Sequence, residues 1–279
     1  MIGVIDVGGG LRGSYGAGVL DRCIEEGIRF DCGVGVSAGS ANVASYLGGQ
    51  KGRNYVFYTD YFQRWQYMGI KNLLKTGSYV GLDYIYSDLS GAEGENPLNW
   101  KGIAEGNREM ITVATNALTG EPTYFDRSSM SQDHYEPIKA SCCVPVADRP
   151  YYINGIPYFD GGISDPVPLD KAFSLGCDKV VLILTRPKDF RRISKNDTLM
   201  ADLLRKHYPA AAEDMRNRSL VYNQAVDRAM ELEKEGKVLI VAPDSIGKMK
   251  TLTKDREAIA ELYAKGYVDA EEIKKFVQE

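Results

Sequence analysis

The chain has 279 residues, of which 44% are hydrophobic and 26% charged, with a formal net charge of −4. These proportions exclude a disordered or fibrous protein. The 34 lysines and arginines are scattered along the chain, so no basic footprint for a nucleic-acid partner is present. The length fits one elaborated domain.

The N-terminal residues lack a basic segment followed by a long apolar run, and no stretch reaches the ~18 apolar residues that span a bilayer. A cytoplasmic protein is expected, one that meets a membrane, if at all, from the side. The five cysteines (Cys23, Cys32, Cys142, Cys143 and Cys177) are odd in number and show no C-x-x-C spacing. They read as reduced structural thiols, with no metal site.

Residues 2–7 form an apolar run that predicts a strand, and Gly8-Gly9-Gly10-Leu11-Arg12-Gly13 ends it. A helix-compatible segment follows at 15–27, a second strand at 30–36, and a small-residue helix at 38–47. This order predicts a parallel sheet with right-handed crossovers.

Residues 54–100 are rich in aromatics (Tyr55, Phe57, Tyr58, Tyr61, Phe62, Trp65, Tyr67) without strand alternation, and read as helices and loops that wall a site or fill a core. Residues 111–117 predict a strand, with Tyr124-Phe125 beside it. Asn154-Gly155, flanked by apolar runs at 151–153 and 156–159, signals a two-residue hairpin that delivers Asp160 at its far end. Runs at 179–184 and 237–241 should extend the parallel sheet. From about residue 186 the pattern turns polar and helical. The expected organisation is a core over 1–185 and a helical extension over 186–279 that adds its 237–241 strand to the same sheet, as one domain overall.

Gly35-Val36-Ser37-Ala38-Gly39 fits G-x-S-x-G, in which small neighbours let a strand turn sharply into a helix and expose the serine hydroxyl. The motif is weak alone. The glycine loop after the first strand adds a second element, because backbone N–H groups there would face the oxygen that becomes negative during acyl transfer. With adjacent parallel strands, loop and serine emerge at one carboxyl edge.

The same loop also spells G-x-G-x-x-G, the dinucleotide fingerprint, so an NAD(P)-binding oxidoreductase is a rival reading and a non-catalytic scaffold a second. A nucleotide site would want an acid at the end of the second strand. That position holds Val36-Ser37, while Asp31 lies at the strand's start.

A serine needs a base. His134 precedes Asp160 in the chain, the wrong order for an α/β-hydrolase triad; His207 has the right order but sits in a charged segment. A Ser37, Asp160, His207 triad stays open beside the favoured reading, in which Asp160 acts on Ser37 directly. Asp160-Gly161 as a plain turn is the bland alternative.

The glycine loop, the Ser37 elbow and Asp160-Gly161-Gly162, in this order and with Ala140-Ser141-Cys142-Cys143-Val144-Pro145 upstream of the aspartate, resemble the signatures of the patatin-like phospholipase family. The resemblance spans about residues 2–185. It implies a three-layer α/β/α fold with a central mainly parallel sheet, related to α/β-hydrolases, and a lipid or other acyl ester as substrate, cleaved by a Ser-Asp dyad without cofactor or metal. Carried over, Ser37 attacks, Asp160 takes its proton, and the amides of Gly9, Gly10 and Leu11, with that of Ala38, form the oxyanion hole. Gly8, Arg12, Gly13, Gly35, Gly39, Gly161 and Gly162 support these positions. Arg12 either orients the loop, faces a phosphate or is a surface arginine. Asp165 stands where many relatives show asparagine, which puts that loop's contacts in question.

Overall fold

A computed structural model describes residues 1–278. Strand β1 (Ile2–Asp6) runs into the glycine loop, which tightens into a 3-10 turn at Gly10–Gly13 before helix α1 (Ser14–Glu25). Strand β2 (Cys32–Val36) and helix α2 (Ala38–Leu47) follow. The aromatic-rich stretch folds into short helices α3 (Arg53–Thr59), α4 (Ile70–Thr76) and α5 (Trp100–Ala104). Next come β3 (Glu109–Asn116), β4 (Pro122–Asp126), α6 (Glu136–Ser141), β5 (Tyr151–Ile153) and β6 (Ile156–Asp160). Helix α7 (Leu169–Ser174) leads to β7 (Lys179–Ile183), and α8 (Lys195–Leu204) and α9 (Pro209–Lys234) lead to β8 (Val238–Val241). Helices α10 (Arg256–Asp269) and α11 (Ile273–Gln278) close the described chain.

The strands form one eight-stranded sheet of order β5-β6-β3-β2-β1-β7-β8, with β4 also on β3. Pairing is parallel from β3 across to β8 and antiparallel at β4, β5 and β6. Side chains alternate between the faces of a strand, and here successive residues enter different cores. Val4, Val181 and Ile183 pack into one apolar cluster with α1, α2 and α10, whereas Ile5, Val180 and Leu182 pack into another with α7 and α9. Two cores on opposite faces of a mainly parallel sheet make the three-layer α/β/α architecture that the family resemblance implies.

The segment beyond residue 186 is built into this body: β8 pairs with β7, and α10 lies against α1. The approach of those helices is close. A Cβ on Gly18 would stand 2.0 Å from the Tyr263 carbonyl oxygen, and one on Gly266 would stand 2.0 Å from that of Tyr15. Two facing glycines let the backbones touch at their crossing.

The register of β3 positions the site. Its residues 111–115 pair with β4, which occupies one edge. The other edge is shared: β2 covers it as far as Val36 opposite Val113, and β6 continues with Asp160 opposite Ala114. Since Val113 and Ala114 are consecutive, the end of β2 and the end of β6 meet head to head. The residue after Val36 is Ser37.

Candidate active site

Ser37 has φ 56 and ψ −133, a conformation that L-residues rarely hold and that costs of order 1–3 kcal/mol. It occupies the position before α2 where a serine side chain usually caps the helix, yet it makes no such bond. The strain is held from outside. The Ser37 N–H donates to Ser141 Oγ at 2.8 Å, and that hydroxyl donates to the Val113 carbonyl at 2.6 Å. Ser40 Oγ, 3.0 Å from Ser141 Oγ, completes the chain. The elbow leaves the Ser37 hydroxyl free to interact with the Asp160 carboxylate.

Asp160 is held by the same block. Its N–H donates to the Cys143 carbonyl at 2.8 Å, and its carbonyl accepts from Thr115 Oγ1 at 2.9 Å. Its carboxylate accepts the Gly162 N–H at 2.8 Å. Burial raises the Asp160 pKa above the ordinary carboxylate range, against the opposing pull of Arg218, the Ser37 hydroxyl and the Gly162 amide. Residues 141–143 thus brace the serine and the aspartate together. Asp165 points elsewhere, accepting the Tyr124 hydroxyl at 2.7 Å.

The glycine loop lies against the start of α2. Gly8 has φ +62, and a Cβ there would stand 2.3 Å from the Val36 oxygen, 2.6 Å from the Gly39 nitrogen and 2.9 Å from the Ala38 nitrogen. Only glycine fits. Asp6, fully buried, accepts from the Gly8 N–H and from Asn42 Nδ2, both at 2.8 Å, and desolvation raises its pKa to about 6. Among the described residues the amides of Gly9 and Gly10 have no partner, and Ala38, first in α2, has no intrahelical one.

The structure departs from the sequence reading at Leu11 and removes one of the three alternatives for Arg12. The Leu11 N–H donates to the Thr251 carbonyl at 2.9 Å, so it is already engaged and is removed from the candidate oxyanion donors. Arg12 is no surface residue: it is 6% exposed, and its Nη1 donates to Thr251 Oγ1 at 2.8 Å. The two rivals of the dyad also separate from this cleft. His207 is exposed between α8 and α9, and His134 is exposed beside Glu136, so neither faces Ser37. Asp31 accepts from the Ile2 N–H, at the opposite edge of the sheet from the glycine loop.

Ser37 stands where two cavities meet. One, of about 70 Å³, is lined largely by apolar side chains, among them Phe57, Tyr58, Tyr67, Leu82 and Ile85. Of the aromatics in the 55–67 stretch only Phe57, Tyr58 and Tyr67 line it; Phe62, for example, is core. The other, of about 350 Å³, contains Asp160, Gly8, Gly9 and Gly10 with a group of arginines. No three or more His, Cys, Asp or Glu among the described residues are grouped to hold a metal ion.

The family model for patatin-like phospholipase matches residues 7–173, which is more than half of the chain and contains every element described above from the glycine loop to Asp160. The chain belongs to the patatin-like phospholipase family. A second model, for a domain of unknown function (DUF6363), matches residues 208–278 of this patatin-like protein. The uncharacterized protein YjjU of Escherichia coli K12 is 28% identical over 191 residues, covering 67% of this chain and 52% of that protein, so the chain spans about half the length of that relative. The crystal structure of VipD from Legionella pneumophila superposes with a TM-score of 0.50 at 15% identity, over 98% of this chain and 66% of that one. At that identity the likeness is one of fold.

Beyond the patatin-like motifs, the structure brings in residues that sequence reasoning left without a role. Ser141 was visible only as part of a six-residue block. Asp6, Thr185 and Thr251 carry no motif: Thr185 Oγ1 donates to the Gly8 carbonyl, and Thr251 meets the loop from 240 residues downstream. Asp6 alone had a usable signal, an acid at the end of an otherwise apolar strand.

Proposed function

We propose that the protein is a serine acyl hydrolase that cleaves carboxylic esters of lipids through a Ser37-Asp160 dyad. The observation that carries the reading is the head-to-head meeting of β2 and β6 on β3, which sets the Ser37 hydroxyl against a buried carboxylate. Asp160 takes the hydroxyl proton as Ser37 Oγ bonds to the ester carbonyl carbon, and returns it to the departing alkoxide. Water then attacks the acyl-serine with Asp160 again as base, and Asp160 passes that proton to the departing Ser37 Oγ, releasing the acid and restoring the serine. The amides of Gly9, Gly10 and Ala38, at the positive end of α2, stabilise the oxyanion in both halves.

A fluorophosphonate probe should label this protein at Ser37 and should not label Ser37→Ala. Absence of labelling in the wild-type protein would reject an activated serine and leave the scaffold reading. The five thiols are free and buried, in keeping with a reducing compartment such as the cytoplasm. No described helix is long and apolar enough to cross a membrane.

The apolar cavity is the natural seat for an acyl chain, since the nucleophile lies on its wall. Ala41, on α2 one turn beyond the nucleophile, lines it. Ala41→Leu should fill part of that space and lower kcat/KM for long-chain esters about tenfold relative to a butyryl ester. An unchanged chain-length profile would place the acyl chain elsewhere.

A further inference from the structure

The second cavity holds four guanidinium groups, those of Arg12, Arg186, Arg192 and Arg218, and only two carboxylates, Asp160 and Asp197. Four positive charges less two negative leave an excess of two even when Asp160 is ionised. Asp197 is spent locally: its two oxygens accept Arg192 Nε at 2.7 Å and Nη2 at 2.8 Å, and Arg218 Nη1 lies 4.0 Å from it. Arg218 Nε donates to the Gly162 carbonyl. Among the described residues Arg12 and Arg186 have no carboxylate partner, and the buried Nε of each lacks any hydrogen-bond acceptor. Arg186 is held over the Phe190 ring at 4.3 Å.

Gathering like charges in a partly buried cleft is costly. Burial and the neighbouring guanidiniums lower the Arg12 pKa to about 9, and Arg192 adds to the lowering at both Arg186 and Arg218. An arrangement of this kind is stabilised by an anion that accepts several N–H bonds. Two excess charges match a dianion.

We propose that this arginine cavity is a binding site for a phosphate dianion, and that in the ester hydrolase proposed above it seats the phosphomonoester head of a single-chain lipid whose acyl group enters the apolar cavity. Ser37 lines both cavities, so the scissile ester would sit between head and tail. A phosphodiester carries one charge and would leave the site half neutralised, while a phosphomonoester carries nearly two at neutral pH. Arg186, Arg192 and Arg218 lie beyond the residues matched to the patatin-like model, so this selection comes from the C-terminal third of the chain. The assignment to a lipid head rests on the hydrolase reading; the phosphate site itself does not.

The test separates the two. Calorimetric titration of the full-length Ser37→Ala protein with glycerol 3-phosphate, inorganic phosphate and glycerol needs no turnover. Both phosphates should bind and glycerol should not; Arg186→Gln should weaken phosphate binding about tenfold or more. Arg186→Lys, which keeps charge but loses the planar fork, should fall between. Wild-type hydrolysis of monoacylglycerol 3-phosphate should exceed that of the monoacylglycerol in kcat/KM, with the ratio falling about tenfold in Arg186→Gln. Absence of phosphate binding by a folded protein overturns the site. Phosphate binding with equal hydrolysis of the two esters overturns the head-group assignment and leaves a free-anion site. Phosphate binding with no hydrolysis of any ester upholds the site and rejects the hydrolase.

Discussion

Replacing Asp160 by asparagine is expected to lower kcat for ester hydrolysis about a thousandfold or more while the protein stays folded. Asparagine keeps an oxygen for the Gly162 N–H but cannot take the Ser37 proton. Stability should move the other way. Burial raises the Asp160 pKa, so the carboxyl contributes most to folding when protonated, below its unfolded pKa, and that contribution is lost as pH rises through the folded value. At neutral pH the ionised group is therefore a net cost, which the amide relieves. The variant's melting temperature at pH 7 should equal or exceed that of the wild type. The same shift sets the pH profile: kcat/KM should fall on the acid side at a pH above the ordinary aspartate range near ~3.9, where Asp160 becomes protonated. Because His134 and His207 are exposed and away from the cleft, replacing both should leave that limb unmoved. An Asp160→Asn protein keeping about a tenth of wild-type kcat, or a limb that shifts with the histidines, would exclude the dyad.

The fold was legible because its signals are local. The apolar runs, the Asn154-Gly155 turn and the small-residue helix after Ser37 are each decided within a few residues, and they correspond to β1, β6 and α2. The juxtaposition of Ser37 with Asp160 was legible only through motif order. Its physical cause, two strands sharing one edge of β3, depends on pairing across more than 40 residues and leaves no mark on either segment. The same limit explains Leu11. Motif position gives it a free amide, but Thr251, distant in sequence, takes that amide. The arginine cavity was invisible for the complementary reason: Arg186, Arg192 and Arg218 look like ordinary members of a polar helical tail until the loop after β7, which carries the first two, and α9, which carries the third, converge beside the glycine loop.

Gly8→Ala should be the most damaging substitution outside the dyad, and Gly49→Ala shows why. Both glycines have positive φ, +62 and +69, so an alanine carries a backbone cost of about 1–2 kcal/mol at either. Around Gly49 there is open space, and its substitution should lower stability by about that amount and leave kcat alone. At Gly8 the added Cβ would meet the Val36 oxygen and the nitrogens of Ala38 and Gly39, none of which is a side chain that can turn aside. The loop would have to lift from the start of α2, stretching the Gly8 bonds to Asp6 and Thr185 and carrying the Gly9 and Gly10 amides away from the carbonyl that Ser37 would attack in the proposed reaction. Loss of one oxyanion donor costs about 10²–10³ in kcat, and a displaced loop should cost at least that. KM should change less, because the apolar and arginine-lined cavities are largely built by other elements. Measured well below each variant's melting temperature, the Gly8→Ala rate defect should thus stand clear of its stability defect. If the two glycines prove equivalent in kcat, the approach of the loop to α2 is not what positions the oxyanion donors.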